Sequence, residues 1–266
     1  MAALEALGSE AWPRLRTLRV RADHPWAAVD GRAALALAAV LRRMPALGAL
    51  ELRGPAADAL AALARGAAAP ELRSLTVMAS AVEPEDEDEE DEEKLDPAAL
   101  LALAASGWRL ESLNLSGNER VGAAGLAALA AAPTFSIRCL NLTDCGLEAA
   151  SLLCVANAPW PLEELDFWDN DLSADAAGPA LVALSRNARL RRLNVGSCAL
   201  SAASFKALVE AAWPALTCLS APPARPPARR PERPPPSRPA ADLQERPVRR
   251  AHRPRRPADR SEFSCV

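Results

Sequence analysis

The sequence predicts an α/β solenoid, horseshoe-shaped, with parallel strands on the concave side and helices on the convex side. Three observations predict it. One phrase returns eight times: an apolar residue, two variable ones, an apolar, one variable, an apolar, cut short in the last copy. Its starts lie 32, 25, 38, 27, 25, 28 and 26 residues apart, so the last five copies are nearly periodic. Between the copies, apolar residues fall at helical rather than alternating spacing. A unit of one strand and one helix cannot bury its apolar face alone, so such units must stack on their neighbours.

Taken in order, the strand phrases begin with Leu15-x-x-Leu18-x-Val20, Leu47-x-x-Leu50-x-Leu52, Leu72-x-x-Leu75-x-Val77 and Leu110-x-x-Leu113-x-Leu115. They continue with Ile137-x-x-Leu140-x-Leu142, Leu162-x-x-Leu165-x-Phe167, Leu190-x-x-Leu193-x-Val195 and Leu216-x-x-Leu219. Such alternation marks a short strand with one buried face. The intervening helices are read from Leu35, Leu37, Val40 and Leu41, then Leu60 and Leu63, then Leu100 and Leu103, then Leu126 and Leu129. Later sets are Leu152, Leu153 and Val155, then Leu181 and Leu184, then Phe205, Leu208 and Val209. Alanine fills many other helical positions, where it favours helix and lets neighbouring helices approach. The return from helix to strand carries Trp12-Pro13, Trp160-Pro161 and Trp213-Pro214, with Pro45 and Pro70 in the same zone. Proline stops a helix because it lacks an N–H and crowds the preceding turn. These tryptophans are expected to cover the lower edge of the core.

After two further residues, each phrase meets a break position, and there the residues alternate: Asn118, Cys145, Asn170, Cys198. The last three begin Cys145-Gly146-Leu147, Asn170-Asp171-Leu172 and Cys198-Ala199-Leu200. Over residues 110–220 this pattern resembles the ribonuclease-inhibitor-like class of leucine-rich repeats. The resemblance implies a buried Asn amide or Cys thiol that satisfies backbone groups where strand turns into loop, a need of any buried backbone. Over residues 15–80 Asp23, Pro55 and Ser80 hold the break position and repeat lengths are irregular. Part of that region is expected to act as an N-terminal cap.

Two segments stand apart from the solenoid, which is read as about eight repeats over residues 1–220. Residues 83–94 stretch one interval to 38 and contain nine consecutive acids, Glu85 to Glu93. Like charges in a block repel and resist packing, so this insert is expected to be disordered. Residues 221–266 hold twelve prolines and twelve arginines against five acids, a tail expected to be disordered or PPII. An alternative reading of a longer gene would produce the same abrupt change. The formal charge of −3 therefore conceals +7 in the tail and −10 before it.

Parallel strands place equivalent positions in columns, so the concave face can be listed from spacing. Its centre column is Arg19, Glu51, Thr76, Asn114, Asn141, Asp166, Asn194 and Ser220. On one side lie Thr17, Ala49, Ser74, Ser112, Cys139, Glu164, Arg192 and Cys218, and on the other Arg21, Arg53, Met78, Ser116, Thr143, Trp168 and Gly196. Trp168, beside Asp166, Asp169 and Glu164, is the candidate anchor, since aromatic residues dominate interface energetics. The competing reading is that Trp168 packs over its neighbours, that the Asn side chains form a solvated ladder, and that Glu164 and Arg192 pair with each other. The candidate partner-binding residues are Asn114, Asn141, Glu164, Asp166, Trp168, Arg192 and Asn194.

Catalysis finds little support. The two histidines, His24 and His252, fall in an early loop and in the tail, and no GxxxxGK[ST] or HExxH motif occurs. Six cysteines without a CxxC pair suggest neither a metal site nor a cofactor, and free thiols in a reducing compartment are expected. The first ten residues lack a basic n-region, and no apolar run approaches the roughly 20 residues of a membrane span. The expectation is a cytoplasmic, monomeric, non-catalytic scaffold that binds a protein partner through its concave face. The alternative is a nucleic-acid- or SH3-associated adaptor working through the tail, where Arg233, Pro236 and Pro239 form an Arg-x-x-Pro-x-x-Pro match. Arg-rich disorder can also contact RNA, and Ser264-Cys265-Val266 resembles a PDZ-type C-terminus.

Overall fold

The structure, a computed structural model, describes residues 12–21, 31–54, 57–66, 69–79 and 95–221. The chain divides into two compact units, Met1–Pro226 and Pro227–Val266, and all of the description below concerns the first. The 83–94 insert, the tail beyond Ala221, and the early break residues Asp23, Pro55 and Ser80 lie outside the described residues.

Every strand phrase forms a strand. These are β1 (Thr17–Arg21), β2 (Ala49–Arg53), β3 (Ser74–Met78), β4 (Ser112–Asn114), β5 (Cys139–Asn141), β6 (Glu164–Asp166), β7 (Arg192–Asn194) and β8 (Cys218–Ser220). Between them run α1 (Gly31–Leu41), α2 (Ala57–Gly66), α3 (Pro97–Ala104), α4 (Gly122–Ala130), α5 (Ala149–Asn157), α6 (Ala177–Ser185) and α7 (Ala202–Glu210). The strands form one parallel sheet in chain order. Leu18, Leu50, Leu75, Leu113, Leu140, Leu165, Leu193 and Leu219 stand in register across it. The solenoid read from the sequence is therefore the fold.

The ladder runs beyond the short later strands. The Leu115, Gly117, Leu142, Asp144, Phe167 and Asp169 N–H groups donate to the carbonyls of Asn141, Thr143, Asp166, Trp168, Asn194 and Gly196, at 2.8–3.0 Å. On the inner side of the sheet, Leu113, Leu115, Leu140, Leu142, Leu165, Phe167, Leu193 and Val195 are all buried against the helix layer. Each such side chain contributes about 1.5–3 kcal/mol. Successive helices pack on one another. Alanine alone is not small enough everywhere: a Cβ at Gly125 in α4 would stand 2.5 Å from Leu100 Cδ1 in α3. Two helix starts are capped by side chains. Asp96, before Pro97, accepts the Ala99 N–H at 2.8 Å, and Ser201 accepts the Ser204 N–H at 3.1 Å.

Departures from the sequence reading are local. Leu153 and Val209 are exposed, because each follows a buried leucine and is turned about 100° from it around the helix. Trp160 is buried and Trp213 donates Nε1–H to the Leu208 carbonyl at 2.9 Å, but Trp12 is exposed. Trp108, which no proline follows, is buried in the same place before its strand. Cys145, Cys154, Cys198 and Cys218 are free thiols as expected, whereas Cys139 is disulfide-bonded. At the C-terminal edge β8 is exposed along its length, with Leu219 at 43%. No described helix is long and apolar enough to cross a membrane.

Candidate binding face

The sheet has two faces. One is covered by the helices, and no described element covers the other. The register confirms the columns: Ser112, Cys139, Glu164 and Arg192 align, and so do Asn114, Asn141, Asp166 and Asn194. The seven sequence candidates are thus brought together on four adjacent strands, with Trp168 on the ladder just past β6. What the structure adds is how each side chain is held.

The centre column repeats one device. Asn114 Oδ1 accepts the Ser116 N–H at 2.9 Å, and Asn141 Oδ1 accepts the Thr143 N–H at 2.9 Å. Asp166 Oδ1 accepts the Trp168 N–H at 3.0 Å, and Asn194 Oδ1 the Gly196 N–H at 3.0 Å. A side-chain oxygen bonding its own backbone two residues on is the habit of Asx residues, and here it shapes the strand exit. Asp166 and Asn194 are only 6% and 5% exposed. Asn114 and Asn141 are half-buried. Burial pushes the Asp166 carboxyl above its ordinary value of 3.8, while hydrogen bonds from the Trp168 N–H and from the Asn194 and Thr143 side chains oppose the rise.

Trp168 is half-buried, in keeping with the competing reading that it packs over its neighbours. Its indole reaches sideways onto β7's extension. A Cβ built on Gly196 would lie 2.7 Å from Trp168 Cδ1 and 3.2 Å from its Nε1, so the ring occupies the space that any other residue at 196 would fill. This pairing of large and absent side chains in neighbouring register positions was visible in the sequence column but not singled out there.

Ion pairs cross the face between neighbours. Arg192 Nη1 lies 3.4 Å from Glu164 Oε1, as the sequence alternative expected. At the other end Arg19 and Arg53 each approach Glu51, at 2.9 and 2.8 Å. Just before the strands, Arg138 links Glu111 at 3.7 Å and Glu163 at 3.2 Å. Partly exposed pairs of this kind contribute about 0–1 kcal/mol each. They orient side chains more than they stabilise.

Beneath the exits sits the break column. Asn118 Nδ2–H donates to the carbonyls of Val77, Leu115 and Ser116, at 2.9, 2.7 and 3.3 Å. Cys145 Sγ–H points at Leu115 O, 3.1 Å, and Cys198 Sγ–H at Phe167 O, 3.0 Å. Asn170 donates to Leu142, Phe167 and Trp168 carbonyls, and its Oδ1 accepts the Cys145 and Leu147 N–H groups. Burial pushes both thiols up to about 12, so neither is a nucleophile at neutral pH. One more column was missed by the sequence reading. Gly54, Gly117, Asp144, Asp169 and Ser197 all have positive φ, 53–78°, at the same turn. The signal was a run of Gly, Asp and Ser at one repeat position, residue types suited to left-handed turns. Among the described residues no group of three His, Cys, Asp or Glu is placed to hold a metal ion.

A family model described as Leucine Rich repeat matches residues 110–130. No curated protein matches the sequence. Among solved structures, the chain is similar to a chain of the yeast Rad7–Elc1 complex, with 16% identity and a TM-score of 0.40. The match covers 77% of this chain and 57% of that one, so this chain spans little more than half of its length.

Proposed function

We propose that this leucine-rich-repeat protein is a non-catalytic scaffold that takes a partner protein on the open face of its sheet. The observation that supports it is the open face over β4–β7: its backbone is fully laddered, its side chains are held by neighbours, and no described element covers it. A surface already ordered before binding gives up little entropy when a partner arrives. Arg192 is exposed, Asn114, Asn141, Glu164 and Trp168 are half-buried, and the buried Asp166 and Asn194 shape the surface from below. The alternating Asn and Cys hydrogen bonds of the break column support the ribonuclease-inhibitor-like class.

The test is capture of partners from a cell extract by the full chain, beside Trp168→Ala and Arg192→Glu variants that melt at the parent temperature. The reading predicts a partner held by the parent and lost by both variants. A partner set unchanged by either substitution, and released only by salt, would move the activity off the face and refute it.

A further inference from the structure

Strands β2 to β7 each have a neighbour on either side, whereas no described strand follows β8. Equivalent residues show the consequence. Leu190 and Leu193 of the seventh repeat are 1% exposed, but Leu216 is half-buried and Leu219 is 43% exposed. In α6 Leu181, three residues before the buried Leu184, is fully buried. Phe205 stands three before the buried Leu208 in α7 and is only half-buried, as is Trp213.

The backbone of β8 is unfinished in the same direction. In β7 the Arg192 N–H reaches back to the Glu163 carbonyl, and the Val195 N–H reaches forward to the Ser220 carbonyl at 2.8 Å. In β8 the Cys218 N–H reaches back to the Arg191 carbonyl at 3.0 Å. Alternate residues of a parallel strand bond to opposite sides, so the Leu219 N–H and C=O point to the free side, where no described group meets them. Such an edge is a template for one more strand.

The residues that follow directly do not supply that strand. They read Pro222-Pro223-Ala224-Arg225-Pro226, and proline has no N–H for a ladder. Charge narrows the occupant further. Residues 201–221 carry only Lys206 and Glu210, which pair with each other at 3.7 Å. This end is neutral in a chain whose first 220 residues sum to −10. Two copies meeting here bring no like charges together, and a charged partner finds nothing to pair with.

We propose that a second copy of this chain docks on this edge, β8 pairing antiparallel with β8 about a two-fold axis at Leu219. The two Leu219 residues then exchange N–H···O bonds in both directions, a contact that is self-complementary as a two-fold requires. Cys218 of one copy falls opposite Ser220 of the other, and each copy covers the open end of the other's core. The edge is separate from the face over β4–β7, so this inference is independent of the scaffold reading and departs from the monomer expected from the sequence.

The experiment is sedimentation velocity of the full chain under reducing conditions, over a dilution series starting at about 100 μM. The expected result is a dimer that dissociates on dilution. Leu219→Lys sets like charges directly opposite each other and weakens the dimer about ten-fold or more, with a circular dichroism melt to show that it folds. Ser220→Cys tests the register without touching the core. Non-hydrogen-bonded antiparallel neighbours stand about 4.5 Å apart, within disulfide range, so oxidised glutathione should link the introduced thiol to Cys218 of the second copy. Non-reducing gels then show more covalent dimer than the parent gives. A chain that stays monomeric throughout the series overturns the inference. So does a dimer unaffected by Leu219→Lys, or one that Ser220→Cys leaves unlinked.

Discussion

Replacing Asn170 by alanine removes a side chain that makes five hydrogen bonds. Its amide nitrogen donates to Leu142 O at 2.8 Å, Phe167 O at 3.0 Å and Trp168 O at 3.2 Å. Its oxygen accepts from Cys145 N at 3.2 Å and Leu147 N at 2.9 Å. Two of the carbonyls keep another donor, since Asp144 N–H reaches Trp168 O and Cys198 Sγ–H reaches Phe167 O. The Cys145 and Leu147 N–H groups and the Leu142 carbonyl do not. Each stranded buried group costs about 1–3 kcal/mol, and water entering at the turn recovers part of it, so Asn170→Ala should cost about 3–5 kcal/mol. That is a large share of the roughly 5–15 kcal/mol that holds a domain together. Asn170→Cys is the discriminating control. A thiol can serve one carbonyl, as Cys145 and Cys198 do, but cannot accept both N–H groups, so its cost should fall at about half that of alanine. Urea denaturation of the full chain, followed by far-ultraviolet circular dichroism, measures both. An alanine variant within about 1 kcal/mol of the parent, or a cysteine variant as damaged as alanine, would refute the reasoning.

Four further outcomes follow from other sites. Gly125→Ala puts a methyl 2.5 Å from Leu100 Cδ1 and should lower stability by about 1–3 kcal/mol in spite of alanine's better helix propensity; a stabilised variant would show the helices free to separate. Cys145 and Cys198, raised from 9.0 to about 12, should resist a thiol reagent that labels the exposed Cys218 in the native state. Because their folded values lie above the unfolded one, their contribution to stability is complete below pH 9.0 and is lost as pH climbs toward about 12, visible as an alkaline fall in denaturation midpoint. Asp166→Asn keeps the oxygen that binds the Trp168 N–H, as the neighbouring asparagines do. The carboxyl's folded value is raised, so the parent loses stability as pH rises from 3.8 through that value, and the variant should be the more stable at neutral pH and equal in acid; a parent that gains on the variant with rising pH would reverse the sign.

The sequence by itself determined the periodic part of this protein. Leucines at fixed offsets named every strand, and one residue of offset would have turned each strand's apolar set to the wrong face. Register then followed, because stacking identical units leaves one alignment that buries all the leucines. The Asn and Cys of the break column were legible for the same reason: a buried turn must satisfy its backbone, and few side chains can do so. The column Gly54, Gly117, Asp144, Asp169 and Ser197 was equally periodic, and went unread only because a left-handed turn leaves no hydrophobic trace.

What only the tertiary structure decided lies between repeats, where side chains of different length meet. Spacing put Trp168 on the open face but could not say that the indole lies over Gly196, since that depends on a rotamer and on the residue one strand away. It placed Asp166 and Asn194 in an outward column, yet neighbouring side chains and the strand exit bury both to about 5%. Leu153 and Val209 carried the apolar signature of core residues, and the helix rotation needed to bury Leu152 and Leu208 sends them to solvent. Periodicity specifies which backbone positions are equivalent; how unlike side chains share the space between equivalent positions is settled only when they pack.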